Sequence, residues 1–201
     1  VGRQQLTPLA VMLLALVAER EMHPYEMLQT MTERGEDRLV KVRPGSLYHA
    51  VERLAAAELI RATGVERAGN RPERTSYALT EAGARLLQAR VAEMLRAPVN
   101  EYPQFLVALD EAHNLPREQV IDYLGEYAAA LAADLATIDA ALGRAGTQAV
   151  PEAYWLSWRY LQHTKQAELG WISRLIERIK SKELEWPKFP IHDLRRQPTA
   201  E

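Results

Sequence analysis

Val42-Arg43-Pro44-Gly45-Ser46-Leu47-Tyr48-His49-Ala50-Val51-Glu52-Arg53-Leu54, followed by Glu58-Leu59-Ile60, a polar hairpin and Arg74-Thr75-Ser76-Tyr77-Ala78-Leu79, decides the fold. Pro44 suits the first position of a helix, where its missing N–H would have no partner in any case. At about 100° per residue, Leu47, Val51 and Leu54 share one face, and Gly45, His49, Glu52 and Arg53 point the other way. One face is therefore core and the other is presented. Beyond Ile60 the pattern shortens to strand-like pieces around Ala68-Gly69-Asn70-Arg71-Pro72, where Gly69, Asn70 and Pro72 are turn formers.

Working outward, Thr7-Pro8 is a capping residue followed by proline, and Leu9, Leu13, Leu16 and Val17 recur at helical spacing as far as Arg20. His23-Pro24-Tyr25-Glu26 opens a second helix with Met27, Leu28 and Met31 as its apolar face and Gly35 as its stop. Helix, helix, helix, hairpin is the order of a winged helix-turn-helix. Thr80 caps a fourth helix through Leu86, Leu87, Val91 and Leu95, and the two prolines of Ala97-Pro98-Val99-Asn100-Glu101-Tyr102-Pro103 mark a linker. The expected organisation is mainly α with a small β-wing: a winged helix-turn-helix over 1–96, an all-α dimerisation and effector domain over 97–185, and an extended tail over 186–201.

In the second half, Phe105, Leu106 and Leu109 suggest a short helix to His113. A long helix follows Pro116, carrying Val120, Leu124, Tyr127, Leu131, Leu135, Ile138 and Leu142 and ending at Gly143 and Gly146. Another follows Pro151, with Trp155, Trp158, Leu161, Leu169, Ile172, Ile176 and Ile179. Two such near-heptad seams point to a homodimer, against the alternative of an antiparallel hairpin that satisfies itself.

Composition sets limits. The 201 residues contain no cysteine, which excludes disulfides, thiolate zinc sites and cysteine nucleophiles, and fits a cytoplasmic setting. The apolar run Leu9 to Ala18 is far short of the ~20 residues that span a bilayer, no cleavable signal pattern precedes it, and Val1-Gly2 reads as a trimmed end. Net charge is only −2, but Arg38 to Arg74 holds eight cations against four carboxylates, a local excess of +4. An outward polar helix face beside a basic hairpin suits double-stranded DNA, with the helix in the major groove and the hairpin at backbone or minor groove. A merely solvated mixed-charge surface is the competing reading.

These residues resemble the PadR family of bacterial transcriptional regulators. The resemblance rests on Leu6-Thr7 with the apolar first helix, His23-Pro24-Tyr25-Glu26, Pro44-Gly45-Ser46-Leu47-Tyr48, Arg53-Leu54, Leu59-Ile60, and Arg74-x-x-Tyr77-x-Leu79-Thr80-x-x-Gly83. It covers about the first ninety residues, and the helical second half is similar to the dimerisation domain of the longer members. It implies a homodimer that binds a palindromic operator, usually as a repressor released by a small molecule or another signal. It also implies that Ser46 and Tyr48 lie at the DNA surface and that the wing touches the backbone. Two positions depart from the pattern. Glu58 stands where the family usually has glycine, and Arg43 stands where a short polar cap is common, exchanging a capping oxygen for a cation able to meet phosphate at a cost of ~1 kcal/mol.

The expected DNA-binding residues are Arg43, Ser46, Tyr48, His49, Arg53, Arg67, Asn70, Arg71 and Arg74. Tyr48 would reach a phosphate, His49 and Arg53 base edges, and Arg71 the backbone from the wing tip, while Glu52 on the presented face is awkward for phosphate but able to accept from cytosine. Arg53 pairing with Glu52 or Glu58 is the bland alternative. Tyr154, Trp155 and Trp158, with Tyr160, either line a site for an apolar or aromatic effector or form helix-packing core.

An enzyme has little support. The five histidines are scattered and neither a phosphate-binding glycine loop nor Gly-x-Ser-x-Gly is present. Asp110-Glu111-x-His113 reads as a solvated helix end rather than a metal site, so no metal or cofactor is expected. A helical module whose winged helix docks a protein instead of DNA is the remaining alternative, distinguished by binding without steep salt dependence.

Overall fold

The computed structural model describes residues 6–66 and 74–187. The chain divides into two compact units, residues 1–100 and 101–201.

The first unit runs α1 (Pro8–Glu19), α2 (Pro24–Glu33), a 3-10 turn (Glu36–Arg38), α3 (Pro44–Ala56), β1 (Ile60–Glu66), β2 (Arg74–Leu79) and α4 (Glu81–Arg96). It is a winged helix. Thr7 Oγ1 accepts from the Ala10 N–H at 3.3 Å, starting α1 as its sequence predicts. Ala10, Val11, Leu13, Leu14, Leu16 and Val17 are buried, so α1 is wrapped on most of its circumference. Met27 and Met31 of α2 and Leu47, Ala50, Val51 and Leu54 of α3 close the same core. Each buried Leu, Val or Met side chain contributes roughly 1.5–3 kcal/mol.

His23-Pro24-Tyr25-Glu26 is a reciprocal cap. The His23 Nδ1 accepts from the Tyr25 N–H at 3.0 Å, and the Glu26 carboxylate accepts from the His23 N–H at 2.8 Å. Just before it, Met22 and Tyr77 exchange backbone hydrogen bonds of 3.0 and 3.1 Å, an antiparallel bridge that stitches β2 to the α1–α2 connection. β1 and β2 pair antiparallel from Ile60↔Leu79 to Glu66↔Arg74, with the register shifting between Ala62 and Gly64. Such a bulge increases local twist.

Helix α3 ends in a Schellman motif on a residue unsuited to it. The Leu59 N–H donates to the Leu54 carbonyl and the Glu58 N–H to that of Ala55, and Glu58 sits at φ 56 in the left-handed region. The departure from glycine therefore leaves the helix-end geometry in place and stores strain there. The Leu59 carbonyl then accepts from both the backbone N–H and the hydroxyl of Thr80, at 3.1 and 3.0 Å. Thr80 Oγ1 in turn accepts from the Gly83 N–H at 3.0 Å, starting α4. A Cβ on Gly83 would collide with the Leu59 carbonyl oxygen and come within 2.9 Å of Leu79 Cδ1.

The second unit contains α5 (Gln104–Asp110), a 3-10 turn (Ala112–Asn114), α6 (Arg117–Thr147), a 3-10 turn (Glu152–Tyr154) and α7 (Leu156–Lys180). The expected stop at Gly143 and Gly146 is corrected: α6 runs through both to Thr147. A helical glycine costs only about 1 kcal/mol, too little to end a helix this long. Its actual stop is a second Schellman turn, with Ala149 at φ 52. Trp155 precedes α7 as its N-cap position instead of lying inside the helix.

Cross-links Tyr127–Glu168, Asp134–Lys165 and Asp139–Gln162 run in opposite sequence directions, so α6 and α7 form an antiparallel hairpin. Its buried seam packs Val120, Leu124 and Leu131 with Ile172, Ile176 and Ile179, and Leu135, Ile138 and Leu142 are buried farther along α6. Phe105 of α5 stacks on Tyr127 with centroids 4.0 Å apart. Trp186, expected in an extended tail, packs on this core and donates its indole N–H to the Leu115 carbonyl at 2.9 Å. The rest of that tail, 188–201, lies outside the described residues.

Two stability changes of opposite sign follow. Gly83→Ala should lower stability by roughly 2–3 kcal/mol through backbone overpacking, although glycine to alanine in an open helix interior gains about 1. Glu58→Gly should raise stability by roughly 0.5–1 kcal/mol, the relief of the left-handed residue less the added freedom of the unfolded chain. Urea midpoints of the two variants at pH 7 check both.

Candidate nucleic-acid interface

Helix α3 presents the residues that its sequence assigned to the outside. Arg43, Ser46, Tyr48, His49, Glu52 and Arg53 are all exposed, above the buried row Leu47, Ala50, Val51 and Leu54. Measured around the axis, Gly45, His49, Glu52 and Ala56 form the crest farthest from the core; Tyr48 lies on one flank, and Ser46 and Arg53 on the other. The crest is low at both ends, because Gly45 and Ala56 carry little or no side chain. A Cβ on Gly45 would meet nothing within 4 Å, so packing inside this chain does not require a glycine there.

Side-chain partners separate the candidates. The Arg43 backbone N–H donates to Ser46 Oγ at 3.3 Å, and Ser46 Oγ donates to the Arg43 carbonyl at 2.9 Å. Ser46 thus closes the first turn of α3 that Arg43 cannot cap with its own side chain. On the crest, His49 Nδ1 lies 3.3 Å from a Glu52 carboxylate oxygen, with the side chains 82% and 71% exposed. Tyr48 is 42% exposed. Among the described residues Arg53 has no ion pair with Glu52 or Glu58. It lines one rim of a 280 Å³ apolar cleft with Leu6, Thr7, Ala10, Ala50, Leu54, Ala57, Leu59 and Leu86. That places its base on the flank nearest α1 and α4 instead of the crest.

The backbone of Arg74 opens β2. The other wing candidates, Arg67, Asn70 and Arg71, lie outside the described residues. The aromatic candidates lie at the turn into α7. Trp155 is half-buried, its indole N–H donating to the Val150 carbonyl at 2.9 Å and its ring covered by the Arg159 guanidinium at 4.9 Å. Trp158 is also half-buried, whereas Tyr154 is 82% exposed. None of the three lines the cleft beside Arg53 or the second cleft at Leu115–Glu118 and Lys182–Pro187. His113 Nδ1 contacts the Asp110 carbonyl at 3.0 Å, and no metal-binding group occurs among the described residues.

One element supporting α3 escaped the sequence reading. In the turn before it, Arg34 bonds both carboxylate oxygens of Glu19 at 2.6 and 2.7 Å and stands 3.9 Å from Glu36. The Glu19 carboxyl is held below its ordinary range mainly by the Arg34 hydrogen bond. Glu36 goes the other way: burial raises it against the pull of Arg34, and its Oε2 is buried without a hydrogen-bond partner. Residues 15 apart in sequence gave no local signal for this cluster.

The profile of the PadR-like transcriptional regulator family matches residues 13–89, the span from α1 into α4. The first unit is a PadR-like transcriptional regulator domain. Solved PadR-type structures share the fold across the chain. Bacillus subtilis PadR in complex with operator DNA superposes with a TM-score of 0.75 at 15% identity, over 86% of this chain and 99% of that one. The same regulator in complex with p-coumaric acid gives 0.71 at 15% identity, over 86% and 98%. The PadR-like regulator BC1756 from Bacillus cereus gives 0.64 at 14% identity, over 87% and 99%. No curated protein matches significantly. By its family the matched span is a transcriptional-regulator domain, and no described helix is long and apolar enough to cross a membrane.

The pH dependence of the turn can be measured directly. A carboxyl whose folded value is raised favours folding most when protonated, and that contribution is lost as pH rises through the folded value. Glu36→Gln should therefore gain melting temperature over the wild type at pH 7.5, with the gain shrinking at pH 4.5. An equal gain at both pH values would mean that burial of the Glu36 charge is not the cause.

Proposed function

We propose that the protein is a cytoplasmic repressor that binds an inverted-repeat operator as a homodimer and is released by a small-molecule effector or another signal. The observation that carries this reading is the outward face of α3, where polar side chains are exposed on a crest. Tyr48 and Arg53, on opposite flanks, are assigned to the two walls of the major groove. On its flank Arg53 is assigned either a phosphate contact or the reading of a guanine edge. Ser46 and Arg43 meet phosphate at the helix start, and Arg67, Asn70, Arg71 and Arg74 follow the backbone as the wing.

Support for the dimer comes from apolar side chains left exposed on both units: Leu86, Val91, Met94 and Leu95 of α4, and Leu106, Val107, Leu156 and Tyr160 of the helical unit. Exposed apolar surface of that extent marks an interaction site. An effector would act by its differential affinity for DNA-competent and incompetent arrangements of the dimer. A small aromatic acid is the class suggested by the p-coumaric acid complex of Bacillus subtilis PadR. Tyr154, Trp155 and Trp158 are its proposed contacts on the chemistry of their side chains.

Selection of bound duplexes from a random pool tests the reading. The expected winner is an inverted repeat with half-sites about one helical turn, ~34 Å, apart, whose affinity falls steeply as salt rises. Arg71→Ala should weaken binding to all duplexes evenly and reduce the salt slope by about one. No enrichment by folded, dimeric protein, with partner binding insensitive to salt, would instead support the protein-docking alternative.

A further inference from the structure

The crest of α3 carries a carboxylate where a DNA-binding helix ordinarily gains from cations. Glu52 is on the line farthest from the core, beside His49, and the crest falls away at Gly45 and Ala56. A helix of that relief can lie deep in a groove, with His49 and Glu52 as its projecting side chains. In that position Glu52 is repelled by phosphates on both walls, and only hydrogen-bond donors are favourable partners. On the major-groove floor the donors are the exocyclic amines of cytosine and adenine. Cytosine presents its N4 amine alone, whereas adenine sets the N7 acceptor beside its N6 amine.

We propose that Glu52 is a specificity-determining residue that selects cytosine at one position of each half-site, with His49 as the residue that positions it. His49 Nδ1, 3.3 Å from Glu52 Oε2, holds one carboxylate oxygen and leaves Oε1 for the cytosine amine. The pair is an i,i+3 contact on one helix face, so it needs no other element to form. Glu52 is one of four carboxylates between Arg38 and Arg74 and stands on the crest of α3, where it would reject guanine and thymine through their bare acceptors.

The inference rests on the DNA-binding reading, and the experiment separates the two. Duplex selection is run in parallel with wild type, Glu52→Gln, Glu52→Ala and His49→Ala, all checked for folding by circular dichroism. Wild type should enrich cytosine at one position per half-site. Glu52→Gln should shift that position to adenine, because glutamine pairs with adenine N6 and N7, with a change in relative affinity of roughly 5- to 150-fold. Glu52→Ala should lose the preference at that position alone, and His49→Ala should weaken it there without changing which base is preferred. Unchanged preferences at every position in both Glu52 variants would overturn the inference while leaving the regulator intact. A wild type that enriches no sequence would remove the DNA-binding reading, and the inference with it.

Discussion

The carbonyl oxygen of Leu59 is the point on which the first unit closes. It follows the left-handed Glu58 at the end of α3, accepts both the backbone and the hydroxyl hydrogen of Thr80, and lies so near the Gly83 Cα that no side chain fits there. One peptide group thereby joins the end of the presented helix, the return strand of the wing and the start of α4. A second Thr80 hydroxyl contact, 2.8 Å to the Glu58 carbonyl, holds the same turn. Because α3 is anchored at its C-terminus through backbone atoms, its outward face is set by geometry that side-chain substitutions on the crest do not reach.

The other end of α3 is held differently. The turn from α2 passes through Gly35 at φ 67, and its charge network pairs Arg34 with Glu19 of α1 while leaving Glu36 half-buried and short of a partner. The start of α3 is closed by Ser46 instead of by residue 43. That arrangement frees Arg43 from structural duty and leaves its charge at the surface. The helix thus has a rigid, uncharged anchor behind it and a polar, charged approach in front, a division that suits a surface meeting phosphate at one end and bases along its length.

The helical unit solves a different problem. Its hairpin buries the inner seam, and Phe105, Tyr127 and Glu168 fasten α5 to it; the Tyr127 phenol is pushed up to about 12, first by burial and then by its hydrogen bond to the Glu168 carboxylate. At the turn into α7, Trp155 is held by local contacts to the Val150 carbonyl and the Arg159 guanidinium.

Local chemistry alone determined the element order, the caps and the presented face. Pro8, Pro24 and Pro44 each open a helix, Thr7 and Thr80 cap one each, and the periodicity of Leu47, Val51 and Leu54 identifies core without any knowledge of neighbours. These are rules of steric fit and hydrogen bonding within a few residues, and they hold wherever the segment ends up. The tertiary structure decided what depends on distant partners. It alone placed Met22 beside Tyr77, Glu19 beside Arg34, and Trp186 against Leu115. It carried α6 through Gly143 and Gly146, since packing along a long seam outweighs the small cost of each glycine. It also gave Gly83 its meaning, because only the approach of Leu59 turns a poor helix former into the one residue that fits.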